Sequence, residues 1–336
     1  MKRLSGYIRI WEILITTCFC LILFQTSFQP WLSEIGLDLL FKSRPIKETS
    51  QSIIIVGIDE QSLQQLGPWP FPRSNHAAIL SKLKGAKAIG FDLIFTHPTG
   101  DDSILTDAIE NAPPVAMAVA SNYQGTILTP GSYFSNKAKL GHIETELGLD
   151  GIVRRVQLYK YDVPVLAATM ADSSTSPYGN HLDDDTRIIN FYGPEFTFMY
   201  LSYSDVLHGE YDAAFFKDRY VLIGSKALAL GDVHVTPYSK QHPIPGVEIQ
   251  ATILNNILND SFLKELNWLL LAVSLSCFVM LLFVWPNKSE TFNALLSGIF
   301  AIIVLLLAVV LFRFDYFFNF AIPLFILLVS YICLLY

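Results

Sequence analysis

The sequence predicts an α/β domain built on a mostly parallel sheet and held outside the cytoplasm by four α-helical transmembrane spans, one N-terminal and three C-terminal. Three observations carry this. Apolar residues make up 52% of the 336 positions and charged residues only 16%, a balance too greasy for an ordinary soluble domain. The apolar excess gathers at the two ends of the chain. Between the ends, short β-branched runs alternate with helix-like segments, the order that builds a parallel sheet through right-handed crossovers.

Residues 1–9 read as a cytoplasmic N-terminus carrying Lys2, Arg3 and Arg9. The first span covers residues 10–28, "IWEILITTCFCLILFQTSF". A run of roughly 20 apolar residues crosses a hydrocarbon core of about 30 Å. A cleaved signal peptide has a shorter apolar region, about 7–15 residues, before a small-x-small cleavage site. This run is longer and ends in "FQTSFQPW", so an uncleaved span is expected. The basic N-terminus then stays in the cytoplasm, which puts residues 29–265 outside it.

Three further spans cover residues 266–285, 292–312 and 316–336, joined only by "PNKSET" and "RFD". Trp268, Trp285, Tyr316 and Tyr336 stand at their ends, where interfacial aromatics belong. Lys288 in the inner loop agrees with this orientation, and Arg313 in the outer loop opposes it weakly. The chain therefore reads as a multi-pass protein of the plasma (inner) membrane with both termini cytoplasmic. Cys18, Cys20, Cys277 and Cys333 all fall in spans, leaving no disulfide framework and no zinc-type cysteine pair in the outer domain. A net charge of −7 without a basic tract argues against a nucleic-acid partner.

Within the outer domain, "WLSEIGLDLLFK" (Trp31–Lys42) places Leu32, Ile35 and Leu39 at helical spacing and reads as a juxtamembrane helix. It is a packing strut or a signalling rod. "SIIIVGID" is a strand buried on both faces. "RSNHAAILSKLKG" is a helix with Ser74 or Asn75 as cap and Gly85 as stop. "AKAIGFDLIF", an Asp-capped helix in "GDDSILTDAIENA", and "VAMAVA" continue the alternation. "YVLIG" is a further buried strand, and "PGVEIQATILNNILN" a helix leading toward the second span. Residues 121–215 are richer in turns and read as an insertion on the same sheet. Arg154 and Arg155 in "DGIVRR" read as a solvated pair on a strand.

The candidate site residues fall into two groups. "GPWPFPRSNHAAIL" follows the first strand and feeds a helix, where open α/β sheets place ligands. Its three prolines fix φ and hold the preceding residues out of the helical region. Trp69, Arg73 and His76 then form either a preformed pocket wall for an anionic or aromatic ligand, or a hydrophobic lid in which Arg73 pairs with Asp59 or Glu60. The second group is acidic: Asp59, Glu60, Asp92 and Asp232. Convergence of these would suit a hard cation or an ectoenzyme; alternatively, Asp92 pairs with Arg73. His234 in "DVHV" stands without zinc-helix spacing, and no nucleophile elbow, Walker loop or dinucleotide fingerprint occurs. No catalytic residue, metal ligand or cofactor is assigned.

The stretch "IIIVGIDEQSLQQLGPWPFPRSNHAAILSKLKGAKAIGFDLIF" resembles the signature of the type-two CHASE domains, extracytoplasmic sensory domains attached to cyclases, histidine kinases and related outputs. "GLDGIVRRVQL", "IINFYGP", "YSDVL", "VLIGSKALALGDVHVTPYS" and "PGVEIQATILN" resemble family motifs in the family's order, and so do the three closing spans. The resemblance implies a sensory input module that passes the state of an unknown small ligand or environmental signal through its spans, as a homodimer in the lipid bilayer. The expected output is a cytoplasmic domain or partner protein outside this sequence. The alternatives are a stand-alone membrane interaction subunit or a metal-dependent ectoenzyme using the acidic group.

Overall fold

The computed structural model describes residues 28–171, 186–238, 242–266, 290–325 and 327–328. The chain divides into two compact units, Ile46–Phe262 on one hand and Met1–Pro45 with Leu263–Tyr336 on the other.

The Ile46–Phe262 unit is a mixed α/β structure on a mostly parallel sheet. Its strands are β1 (Ile53–Ile58), β2 (Ala88–Asp92), β3 (Val115–Ser121), β4 (Ile127–Leu128), β5 (Lys139–His142), β6 (Met199–Ser202) and β7 (Tyr220–Ser225). They lie in the order β6-β1-β7-β2-β3, with β5 parallel and β4 antiparallel to β3. All pairings through β6, β1, β7, β2, β3 and β5 are parallel. β1 and β2 are buried along their whole length, as strands covered by helices on both faces must be. β7 enters between β1 and β2, so the two strands that flank the Trp-Pro loop are not neighbours.

One face of the sheet carries helices α1 (Glu60–Leu66), α2 (Arg73–Lys82), α3 (Asp102–Glu110) and α5 (Tyr203–His208). The apolar layer beneath them includes Ile54, Val56, Phe91, Leu80, Leu105 and Ile223. The other face carries α4 (Leu166–Met170) and α6 (Gly246–Asn259). Here the sheet presents glycine. A Cβ at Gly90 would stand 2.3 Å from the Met170 sulfur, and one at Gly224 would stand 2.6 Å from Val247 Cβ. The missing side chains let α4 and α6 lie close on the strands.

Helix α6 is buried along most of its length, polar residues included. Glu248 accepts from Phe196 N, Thr197 N and the Tyr200 hydroxyl at 2.9–3.1 Å. Asn256 exchanges two hydrogen bonds with the Asn190 backbone. These side chains fasten loops onto the helix, and they explain why so polar a sequence is buried. Burial pushes the Glu248 carboxyl up, against the hydrogen bonds that favour its ionised form.

Several local expectations change. Helix α2 begins at Arg73 after Pro72 and has no side-chain cap, so neither Ser74 nor Asn75 caps it. Pro72 holds the N-cap position itself, and proline has no side-chain acceptor to offer. The helix stops at Lys82, before Gly85, where a Cβ would meet the Ala213 carbonyl oxygen at 2.5 Å. Arg154 is not solvated: it is 2% exposed and grips Asp150 in a fork at 2.7 and 2.9 Å. The 121–215 region only partly joins the main sheet. It contributes β4, β5 and β6, while Glu146–Leu147, Val153–Gln157 and Thr186–Ile188 form a separate antiparallel sheet.

In the second unit, the Phe28–Ser43 helix buries Gly36, Leu37, Leu40 and Phe41, whereas Ile35 and Leu39 face outward and Leu32 is half-buried. The periodicity was right and the buried face is the other one: Phe41 packs edge-on to Phe312 at 5.0 Å. The Glu290–Arg313 helix contains a 20-residue stretch, Ala294–Arg313, long and apolar enough to cross a membrane. It is the only such helix among the described residues. Tyr316–Phe317 is a strand paired with Lys264–Glu265, so the span expected over 316–336 does not begin at Tyr316. The helix there starts at residue 321. The spans expected over 10–28 and 266–285, and most of the remainder of the last one, lie outside the described residues.

Candidate functional site

Both groups of candidate residues lie at the carboxyl edge of the parallel strands, and the structure treats them differently. In the Trp-Pro loop, Trp69 packs edge-on to Phe71 and His76 at centroid distances of 5.4 and 6.0 Å. His76 is fully buried and shares a 2.9 Å hydrogen bond with the Tyr203 hydroxyl. Burial, with the Arg73 charge nearby, lowers the His76 pKa to about 3, so the imidazole is neutral. Arg73 is also buried. Its partner is Asp102 at 3.2 Å rather than Asp59, Glu60 or Asp92, and its guanidinium stacks 4.5 Å over the Phe95 ring. Asp102 in turn accepts from Thr99 N at 2.9 Å. The loop is packed and its charges are paired.

Asp59 caps α1, accepting from Ser62 N at 2.9 Å and from the Ser202 hydroxyl at 2.9 Å. Glu60 accepts from Leu228 N at 3.3 Å. The four acidic candidates therefore do not converge. Each of these two carboxylates is committed to a local turn, and only Asp92 and Asp232 share a site.

That site is a cavity of about 400 Å³ at the ends of β2 and β3, within the ~300–1,000 Å³ usual for small-molecule pockets. Asp92 is the last residue of β2, and Ser121 the last of β3. Glu144 stands two residues after the end of β5, and Gly246 opens α6. Asp232 lies against that helix start: a Cβ on Gly246 would stand 2.6 Å from its carboxylate. The His234 ring contacts the same carboxylate at 3.1 Å.

The cavity's polar groups divide by satisfaction. Glu144 is fully engaged. It accepts from Ser121 N and Oγ at 2.6 and 2.5 Å, from Lys160 Nζ at 2.5 Å and from the Tyr161 hydroxyl at 2.7 Å. Burial alone would raise this carboxyl, but Lys160, Ser121 and Tyr161 together hold it at about 2. Asp92 is the opposite case. It is 6% exposed, and among the described residues nothing donates to its carboxylate. Burial, and then the charge of Asp232, push it well above the carboxylate range. Gln250, 1% exposed, donates to the Ile143 carbonyl at 3.2 Å, yet its Oε1 has no partner among the described residues. Buried acceptors without donors are rare in folded proteins, and they point to a group that binds there.

Ser121, Glu144, His234 and Gln250 are site residues that sequence reasoning does not select. The one usable signal is Gln250, a polar residue on a helix otherwise buried against the sheet. Among the described residues no group of three or more His, Cys, Asp or Glu side chains is arranged to hold a metal.

A family model described as the CHASE2 domain matches residues 15–286. No curated protein and no solved structure matches the chain.

Proposed function

Since the chain belongs to the CHASE2 domain family, a family of extracytoplasmic sensory domains, we propose that it is the input module of a membrane receptor that binds a small ligand in the Asp92–Gln250 cavity. The observation that carries this is Gln250 Oε1, a buried acceptor without a partner among the described residues, lining a cavity beside the buried Asp92 and the first turns of α6. A ligand biases a signalling equilibrium only if it binds one arrangement better than another. Helix α6 is suited to register that difference, since it forms one cavity wall at Gly246 and Gln250 and ends at Asn259, shortly before the apolar run that starts at Leu266.

In this reading the chain is multi-pass, with spans over 10–28, 266–285, 292–312 and within 316–336. Residues 29–265 face outward, and both termini are cytoplasmic. It works as a homodimer, is not itself an enzyme, and hands its state to a cytoplasmic output domain or partner protein. The Ala294–Arg313 stretch supports membrane association through its length and apolar surface.

The test is cross-linking in native membranes. Leu39→Cys, on the exposed side of the Phe28–Ser43 helix, reports the approach of two copies. The low-molecular-weight fraction of the host's growth medium is added to the full chain, with and without Thr145→Trp, which fills the cavity mouth. The expected result is a cross-linking yield that responds in the parent and not in the filled variant. Equal behaviour of the two rejects the cavity as the sensing site.

A further inference from the structure

The cavity's chemistry narrows the class of ligand. This step rests on the sensing role just proposed and adds what the site selects for. Two carboxylates, Asp92 and Asp232, meet at the first turn of α6. A Cβ on Gly246 would strike the Asp232 carboxylate, and a Cβ on Gly224 would lie 3.3 Å from Asp92 Cβ and 2.6 Å from Val247 Cβ. Gln250 stands one helical turn beyond Gly246, on the same face of α6, and, at 1% exposure, lines the cavity with an Oε1 that has no partner among the described residues. No Lys or Arg lines the cavity among the described residues. The Lys160 ammonium, close by through its contact with the lining residue Glu144, is bound to that carboxylate. Gln250 Oε1 and the Asp232 carboxylate are acceptors, and Asp92 becomes one when a bound cation displaces its proton to solvent, so an anionic ligand would meet like charge, while a donor bearing positive charge would satisfy all three.

Two observations separate an organic cation from a bare metal ion. Calcium takes about 6–8 oxygen ligands, and among the described residues no three carboxylate, imidazole or thiol groups gather to supply them. The cavity has an apolar part as well: Tyr123, 95% exposed, and Leu147, 64% exposed, line it together with Ile143 and Ile249. A metal ion would leave that surface unused. An ammonium or guanidinium carried on an apolar body would use both parts, with Tyr123 offering a ring face to the ligand. At ~30 Å³ per water in the liquid, a 400 Å³ cavity has room for a molecule of several heavy atoms.

We infer that the cavity takes a small organic cation, a primary ammonium or guanidinium on a short apolar or aromatic body. Its charged head sits between Asp92 and Asp232 and donates to Gln250 Oε1, and its body lies against Ile143, Leu147 and Tyr123. The ligand supplies the donors that the folded chain lacks.

The test uses the purified full chain in detergent, with thermal unfolding followed by tryptophan fluorescence. The probes are phenethylammonium chloride and agmatine. The controls are 2-phenylethanol as neutral isostere, 3-phenylpropanoate as anion, and calcium chloride. At millimolar concentration the amines are expected to raise the unfolding temperature, and the three controls to leave it unchanged. Asp92→Asn is expected to weaken the amine response on the order of tenfold or more, since Asn cannot give up a proton to become the carboxylate that the head pairs with. Asp232→Asn and Thr145→Trp serve if Asp92→Asn does not fold. An equal response to 2-phenylethanol, a response to calcium alone, or amine binding unchanged in the aspartate variants overturns the inference. If the amines do nothing but the medium fraction still alters Leu39→Cys cross-linking, the ligand class is wrong and the sensing cavity stands. If both fail, both are rejected.

Discussion

The Trp-Pro loop and the Asp92 cavity occupy the same carboxyl edge of one sheet, yet the first is closed and the second is left open. In the loop, Arg73 has Asp102 and His76 shares its Nδ1 with the Tyr203 hydroxyl. His76 Nε2, buried without a partner among the described residues, belongs to a ring packed against Trp69, Phe91 and Phe95 rather than lining a cavity. In the cavity, Asp92 and Gln250 Oε1 have none among the described residues. A stiff aromatic loop attracts attention in a sequence because its composition is unusual. What marks a binding site in the structure is unmet hydrogen-bonding capacity, which composition does not report.

If that contrast is correct, substitutions in the loop should cost stability, while substitutions in the cavity should cost binding. The largest expected effect is at Asp102. Asp102→Ala leaves the Arg73 guanidinium buried without its carboxylate, a loss of about 3–5 kcal/mol for a buried pair. Urea unfolding of the full chain should show it as a lower midpoint with an unchanged slope. A stable Asp102→Ala variant with altered ligand response would place the loop back in the site. Next is Trp69→Ala. Trp69 is half-buried against Phe71 and His76, so the expected loss is about 3 kcal/mol, the lower end for large-to-small core changes. Amine binding, measured at a temperature where the variant is folded, should be unchanged.

The sequence made much of the fold legible and little of the cavity, for a physical reason. β1, β2, β3 and β7 announce themselves as apolar runs because both of their faces are covered. The helix over 245–259 is bracketed by proline before it and a left-handed Asp260 after it. The insertion of β7 between β1 and β2 leaves no local trace, since pairing order is decided by long-range packing. β5, "KLGH", has no β-branched residue, so the position of Glu144 at its end was hidden too. Asp92 and Asp232 were visible as acids, but their meeting at Gly246 depends on a chain separation that no motif spans. The same gap misassigned Arg73, whose partner comes from the next helix rather than from the adjacent strand end.

The cavity offers a gain where the loop offers losses. Folding favours the protonated form of Asp92, because burial and Asp232 raise it well above the carboxylate range. The sign then follows. The contribution is fully present below the ordinary carboxylate pKa and is lost as pH rises through that range toward the raised folded value. Asn cannot ionise, so Asp92→Asn is expected to stabilise the ligand-free chain at about pH 8 by roughly 0.5–2 kcal/mol, the scale on which binding sites trade stability for function. The stability difference between parent and variant should level off below about pH 3, where the parent's carboxyl is protonated in both states. A variant less stable than the parent at alkaline pH would mean that Asp92 has a donor in the free protein, and would close the contrast.

The smallest effect expected is the mirror image in the loop. His76 titrates at about 3 in the folded state, below its ordinary 6.5, because burial and Arg73 oppose its charge. Its neutral form is the folded one, so stability is intact above about pH 6.5 and declines as pH falls toward about 3, where the unfolded chain binds a proton that the folded chain refuses. His142, lowered to about 4 chiefly by burial, adds to the same acid limb. His76→Phe keeps the ring packing against Phe91 and Phe95, at 5.9 and 5.3 Å in the parent, but removes the proton. The variant should lose a little stability at neutral pH, about 1 kcal/mol for the hydrogen bond from Tyr203. Between about pH 6 and about pH 4 its stability should fall less steeply than the parent's. The two variants thus act on opposite limbs of one stability curve: the loop sets its acid side through a buried base, and the cavity sets its alkaline side through a buried acid. Denaturation measured across pH for both variants separates the two regions without any ligand in hand, and parallel slopes for His76→Phe and the parent would show that the imidazole is not held neutral by its burial.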